Sequence, residues 1–239
     1  MSANKKPLIS ELFNEQDLLD FDTQLREVLG DPAPLEYVVE PRIRAVEVVM
    51  TYEKGFFASA STPKGPVTTS VKTILTVPIT FVPLRKERLV PHFLEVRADV
   101  YMEGESLARL NHERRAKNLP PFADPVAAVE DSLLQADPRI SAKRPLNYFC
   151  SGTGKSAELQ AATHYELMIA LQELGLRVNR PHIKLTNGIH EAFRHCKRLS
   201  AEKGTFPYPV EGALIRVNAL DLQERLAGAP GRGMAVFKF

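Results

Sequence analysis

No stretch of this 239-residue chain approaches the ~20 consecutive apolar residues of a membrane span. Its opening segment, MSANKKPLISELFNEQ, lacks the apolar centre that a secretory signal needs. The expectation is a cytoplasmic protein with no membrane partner. Cysteine is nearly missing: Cys150 and Cys196 are too few for a disulfide framework and have no zinc-ligand spacing, so both are expected to be inert thiols. An excess of charge is missing too. A net charge of +2 and a pI near 8.5 lack the concentrated positive stripe of a dedicated nucleic-acid binder, so charge alone assigns no partner. There is no internal repeat and no low-complexity segment.

What is present suffices for a sizeable core: 44% of residues are apolar and 25% charged, which fits one large domain or two packed subdomains. Asn14 and Asp17 precede the apolar positions Leu18, Phe21, Leu25 and Leu29, predicting a helix that Gly30 ends. Ala45 to Tyr52 and Phe56 to Ser61, joined by Glu53-Lys54-Gly55, read as a hairpin. A short helix is expected over Thr68 to Thr76, a strand over Phe93 to Met102, and a helix with a basic outer face over Ser106 to Lys117. Further helices are expected at Val126 to Gln135, Ala157 to Leu174, Ile189 to Lys203 and Leu220 to Leu226. Strands are expected at Leu146 to Cys150, Gly212 to Val217 and Met234 to Phe239. Without a regular βαβ rhythm, this order predicts an α+β fold of largely antiparallel sheets flanked by helices.

Two local patterns are weaker than they look. Ser151-Gly-Thr-Gly-Lys-Ser156 sits where a phosphate loop would, yet Phe149 stands where that pattern needs glycine, so a polar turn is expected. His190, His195 and Cys196 share a predicted helix, but the histidine spacing of five puts the rings on different faces, and no metal site is expected. Arg109, Arg114, Arg115 and Lys117 are read as a solvated helix face, with phosphate contact as the rival reading.

The long segment Phe122-Ala-Asp-Pro, continuing through Ser132-Leu-Leu-Gln-Ala-Asp-Pro-Arg-Ile-Ser-Ala-Lys-Arg-Pro-Leu-Asn-Tyr-Phe-Cys150, resembles the adenylation domain of bacterial NAD-dependent DNA ligases. Phe93 to Met102 is similar to that family's LEVRGEVF strand and Tyr52-Glu-Lys-Gly55 to its YENG turn. Val210 to Asn218 is similar to its DGVVIKVN strand and Ala235 to Phe239 to its AxxFKF strand. The resemblance implies a nucleotidyltransferase fold from Leu12 to Phe239 behind a flexible lead of 11 residues. It also implies a chemistry in which a KxDG lysine attacks the adenylate phosphorus of NAD, and the AMP then activates a 5′-phosphate at a nick.

The matching residues here read Arg42-Ile43-Arg44-Ala45, after Glu40-Pro41. Arg42 stands at the place of the nucleophilic lysine, and a guanidinium does not give up its proton at neutral pH. The family's TRGDG loop reads Thr62-Pro-Lys-Gly-Pro66. Two phosphate-directed arginines fall on Val126 and Leu134, and the adenine-packing aromatic falls on Ser151. Milder differences place Asp99 for a glutamate, Glu211 for an aspartate and Arg216 for a lysine, while Glu40 and Lys238 are kept. The resemblance therefore implies a nucleotide site of Glu40, Asp99, Glu211, Arg216 and Lys238 around Arg42, with these side chains converging on one cleft. NAD as ligand and Mg2+ beside it are implied only by resemblance, and neither is expected to be used catalytically. The nicotinamide-recognition, OB-fold, zinc-finger, helix-hairpin-helix and BRCT modules of the family have no counterpart in these residues. The leading expectation is a pseudo-ligase that binds a nucleotide, DNA weakly and non-specifically, or a protein partner. The alternatives are an active ligase or nucleotidyltransferase using a relocated lysine, Lys64 or Lys238, or partner subunits, and a structural subunit whose cleft is closed by Val126 and Leu134.

Overall fold

Asn14 opens the first helix as its sequence predicts: the side chain accepts a hydrogen bond from the Asp17 backbone N–H at 3.0 Å, and Gly30 closes the helix in the left-handed conformation that lacks a Cβ penalty. The computed structural model describes residues 10–84, 89–154, 157–228 and 233–239. In chain order the described elements are β1 (Ser10–Leu12), α1 (Glu15–Leu29), β2 (Glu36–Ile43), β3 (Val46–Glu53), β4 (Phe56–Thr62), β5 (Gly65–Pro66) and α2 (Thr68–Val71). There follow β6 (Phe93–Met102), α3 (Gly104–Ala116), α4 (Pro125–Leu133), α5 (Pro138–Ala142), β7 (Leu146–Thr153) and α6 (His164–Glu173). The remainder are β8 (Lys184–Asn187), α7 (Ile189–Glu202), β9 (Val210–Val217), α8 (Leu220–Arg225) and β10 (Met234–Lys238).

The strands form two sheets, ordered β1-β10-β9-β2-β8 and β5-β4-β3-β6-β7. Every strand pair is antiparallel except β1 with β10. The α+β architecture of antiparallel sheets flanked by helices is therefore as expected. Alternation along each strand decides which face is dry. In the first sheet Tyr37, Val39, Ile215, Val217, Ala235 and Phe237 pack with Leu18 and Leu25 of α1 and Ala192 and Leu199 of α7. The intervening residues Glu40, Arg42, Arg216 and Lys238 are left on the other face. In the second sheet Val48, Met50, Val96, Ala98 and Val100 form a core with Val129 and Leu133 of α4 and Leu167 and Leu171 of α6. That burial leaves Glu47, Arg97 and Asp99 on the opposite face. At one end Tyr101 stacks on Phe149 and Tyr208 meets both rings edge to face, with centroids 5.3 to 5.7 Å apart, which binds β6 and β7 to the segment before β9.

Several expectations need correction. The helix expected from Ala157 begins at His164, where Thr163 and Glu166 form a capping box; Ala157–Leu159 is a single 3₁₀ turn. Ser151, Gly152 and Thr153 continue β7 instead of turning, while Lys155 and Ser156 lie outside the described residues. The 11-residue lead is shorter than expected, since Ser10 and Glu11 pair with β10; residues 1–9 lie outside the described residues.

Candidate functional site

Residues facing each other across β2, β9 and β10 build the floor of the site. Arg42 lies opposite Gly212, and Gly212 opposite Lys238, so one row crosses three strands. Gly212 is required there: a Cβ at this position would sit 2.5 Å from the Phe237 carbonyl oxygen. The register of β2 with β9 slips between Arg42 and Ile43, which makes Glu211 the unpaired residue of a bulge. The bulge brings its carboxylate to the guanidinium of Arg42, with Nε 3.4 Å from Oε1.

Glu40, two residues before Arg42 on β2, and Arg216, four residues beyond Gly212 on β9, form the buried part of the cluster. Glu40 is 8% exposed. Its pKa is raised to about 7: burial lifts it most, the Arg216 guanidinium pulls it back, Asp99 of the other sheet pushes it up and Arg42 pulls it down. Burial likewise lowers the pKa of Arg216, against the pull of Glu40 and Asp99. One of its terminal nitrogens donates to the Ser151 carbonyl at 3.4 Å. His164, 1% exposed at the start of α6, is held well below its usual range by burial and by the charge of Arg216. The two sheets thus meet at a charged cluster in which Glu40, Asp99 and Glu211 face the guanidiniums of Arg42 and Arg216. Glu47 sits opposite Asp99 in the β3–β6 ladder.

Of the residues expected to converge, Arg42, Asp99, Glu211 and Arg216 do so, together with Glu40. Lys238 shares the row of Arg42, but its ammonium is paired with Glu11 of β1 at 3.0 Å. Three partners escaped the sequence reading: Glu11, Asp124, which lies 3.8 Å from Arg44, and Glu130, which holds Lys64 at 2.8 Å. A charge reversal at Arg44 was a signal that a carboxylate should lie nearby, but only the fold shows that it is the N-cap of α4. Val126 and Leu134 line a cavity of about 190 Å3 together with Ala45, Glu47, Lys64 and Glu130.

Elsewhere, His190 pairs with Glu15 at 3.8 Å while Cys196 is buried, with its pKa pushed up to about 12 by burial. No group of three or more His, Cys, Asp or Glu side chains among the described residues is arranged to hold a metal ion. Among the described residues, no helix is long and apolar enough to cross a membrane. Arg114 is a packed residue, with its guanidinium 4.1 Å from the Phe122 ring centre and donating to the Pro120 carbonyl at 2.7 Å. Arg109, Arg115 and Lys117 are exposed.

Two sheets, antiparallel but for β1 beside β10, meet at a charged cleft and carry helices on their apolar faces, the α+β arrangement expected of an adenylation domain. The sequence model of the NAD-dependent DNA ligase adenylation domain matches residues 4–232, and the chain belongs to that family. Among its relatives are proteins named DNA ligase from Syntrophotalea carbinolica (34% identical over 93% of this chain), Syntrophus aciditrophicus (35% over 97%) and Desulforudis audaxviator (37% over 93%). The chain spans about a third of the length of these relatives: 34%, 35% and 33%.

Proposed function

We propose that this chain is an adenylation domain that does not form lysyl-AMP and acts by binding a nucleotide, DNA or a protein partner. The observation that carries the reading is Arg42, set where the resemblance puts the nucleophilic lysine and held by the Glu211 carboxylate at 3.4 Å. A nucleophile needs a free lone pair; a guanidinium with a pKa above ~12 keeps its proton and delocalises its nitrogen electrons. The candidate replacements are occupied, Lys64 by Glu130 and Lys238 by Glu11, and an ion-paired ammonium is harder to deprotonate.

Membership of the family implies NAD as the substrate to test first. Glu40, Asp99, Glu211, Arg216 and Lys238, the residues proposed to form the nucleotide site, are engaged with one another or with neighbours, so the site is proposed to be self-neutralised. Mg2+ has no ready set of ligands here, because among the described residues no group of three or more His, Cys, Asp or Glu side chains is arranged to hold a metal ion.

The test is intact mass after incubation with NAD, or with ATP, and magnesium. The expected result is an unchanged mass. An added AMP on any lysine, located by peptide mapping, overturns the reading and assigns a relocated nucleophile.

A further inference from the structure

We propose that the cavity between β3 and α4 is a binding site for one small, neutral, apolar ring. Apolar side chains line it from both elements, Ala45 and Val46 on the sheet side and Val126, Leu133 and Leu134 on the helix side, and Pro63 joins them from the turn between β4 and β5. Its volume is about 190 Å3. That is below the ~300–1,000 Å3 of clefts that hold drug-sized ligands and just above the ~150 Å3 of an apolar cavity that takes up benzene. The occupant is therefore a single ring with a short substituent.

Charge decides what kind of ring. The ionised groups of the lining are already engaged: the Lys64 ammonium is held by the Glu130 carboxylate at 2.8 Å, and Glu47 is not free either. Arg44, next in sequence to Ala45, is outside the lining and lies 3.8 Å from Asp124. Where the resemblance implies two phosphate-directed arginines, this chain has Val126 and Leu134, so an anion would have to displace Glu130 from Lys64. An organic cation would have to displace Lys64 from Glu130 in the same way. Either ion would also give up hydration against apolar walls, a cost that a neutral ring avoids while its own apolar surface gains by leaving water. A position that the resemblance assigns to phosphate thus disfavours charge of both signs. The inference does not depend on the loss of adenylation: the assay for AMP reads a covalent adduct, whereas this site is read by reversible binding.

The test is a titration of the purified chain with benzyl alcohol, followed by calorimetry or by saturation-transfer NMR on the ligand. Benzylammonium and benzoate present the same ring with a positive and a negative charge. For a ligand of about eight heavy atoms the expected Kd is on the order of 1 mM. Both charged rings are expected to bind at least about fivefold more weakly. Val126→Trp fills the cavity from a partly exposed helix position, and a loss of benzyl alcohol binding of at least about tenfold is expected with the melting temperature checked in parallel. Leu134→Trp, at the exposed end of α4, is the second filling variant, should the first perturb the fold. Glu130→Gln releases the Lys64 ammonium and is expected to tighten benzoate about fivefold. The proposal is overturned by absence of benzyl alcohol binding, by either charged ring binding the parent as tightly, by benzyl alcohol binding that survives both tryptophan variants, or by benzoate affinity that Glu130→Gln leaves unchanged.

Discussion

Arg42 and Glu40 sit two positions apart on the same strand face, yet the sequence reveals their roles to different degrees. The loss of chemistry at Arg42 follows from the side chain alone. Glu40 shows nothing unusual until the fold buries it against Asp99 of the other sheet. Its folded-state pKa of about 7, against an ordinary 4.5, means that the folded protein holds this proton more tightly than the unfolded chain. The stabilisation is fully present below pH 4.5 and is lost as the pH rises through about 7. At ~1.4 kcal/mol per tenfold difference in proton affinity, the loss has an upper limit of roughly 3 kcal/mol. Glu40→Gln keeps a neutral group of the same shape, so the variant is expected to gain stability over the parent at pH 8 and little at pH 4. Urea midpoints of both proteins at the two pH values check this; equal gains at both would show that ionisation of Glu40 is not the cause. The chemistry at Arg42 is a separate matter. Arg42→Lys alone is expected not to restore adenylation, because Arg44, Val126, Leu134 and Ser151 remain. Any AMP adduct on that variant in intact mass would show that the nucleophile was the decisive loss.

At the level of elements, legibility tracked how local the signal was. The first helix carries its own start and stop in Asn14 and Gly30, and β6 alternates so regularly that its expected bounds, Phe93 to Met102, are those of the structure. The strand that carries the candidate site was not read as a strand. β2 contains Pro41, and its cleft face holds Glu40 and Arg42, so neither β propensity nor simple apolar alternation marks it. Proline is tolerated because β8 pairs with β2 only as far as Val39, leaving that side open beyond it. β8 itself, four residues long, offers too little pattern to detect. Glycine 212 shows the opposite case, a sequence feature whose reason lies in a neighbouring strand. A methyl group there would meet the Phe237 carbonyl oxygen at 2.5 Å and the Val236 side chain at 2.9 Å, so β9 and β10 would have to part. Gly212→Ala is expected to cost roughly 2 kcal/mol, or about 4–8 °C in melting temperature for a domain of this size. A melt within 1 °C of the parent would mean that β10 yields without cost and is a weak edge of the sheet.

For the whole molecule, the fold was readable because the matched segments supply its apolar strands and helices, whereas the losses fall on polar positions of the cleft. Val126 and Leu134 are the exceptions: they stand where the resemblance implies phosphate-directed arginines, and they line a cavity beside β3. Binding of DNA is decided by the charge that the folded surface offers. The net charge is only +2, and of the four cations expected on the basic helix face, Arg114 is committed to the Phe122 ring and the Pro120 carbonyl. Arg109, Arg115 and Lys117 remain exposed, interspersed with Glu105 and Glu113, which repel phosphate. With about 0.9 counterions released per phosphate neutralised on duplex DNA, three contacts give a slope of about −3 in log affinity against log salt. The expectation is weak binding that does not distinguish a nicked from an intact duplex and fades between 50 and 200 mM salt by roughly two orders of magnitude at most. Fluorescence anisotropy with labelled nicked and intact duplexes across that range measures both quantities. Nick-selective binding with a slope near zero would place the DNA contacts in the cleft between the sheets instead of on α3, and would overturn the assignment to surface charge.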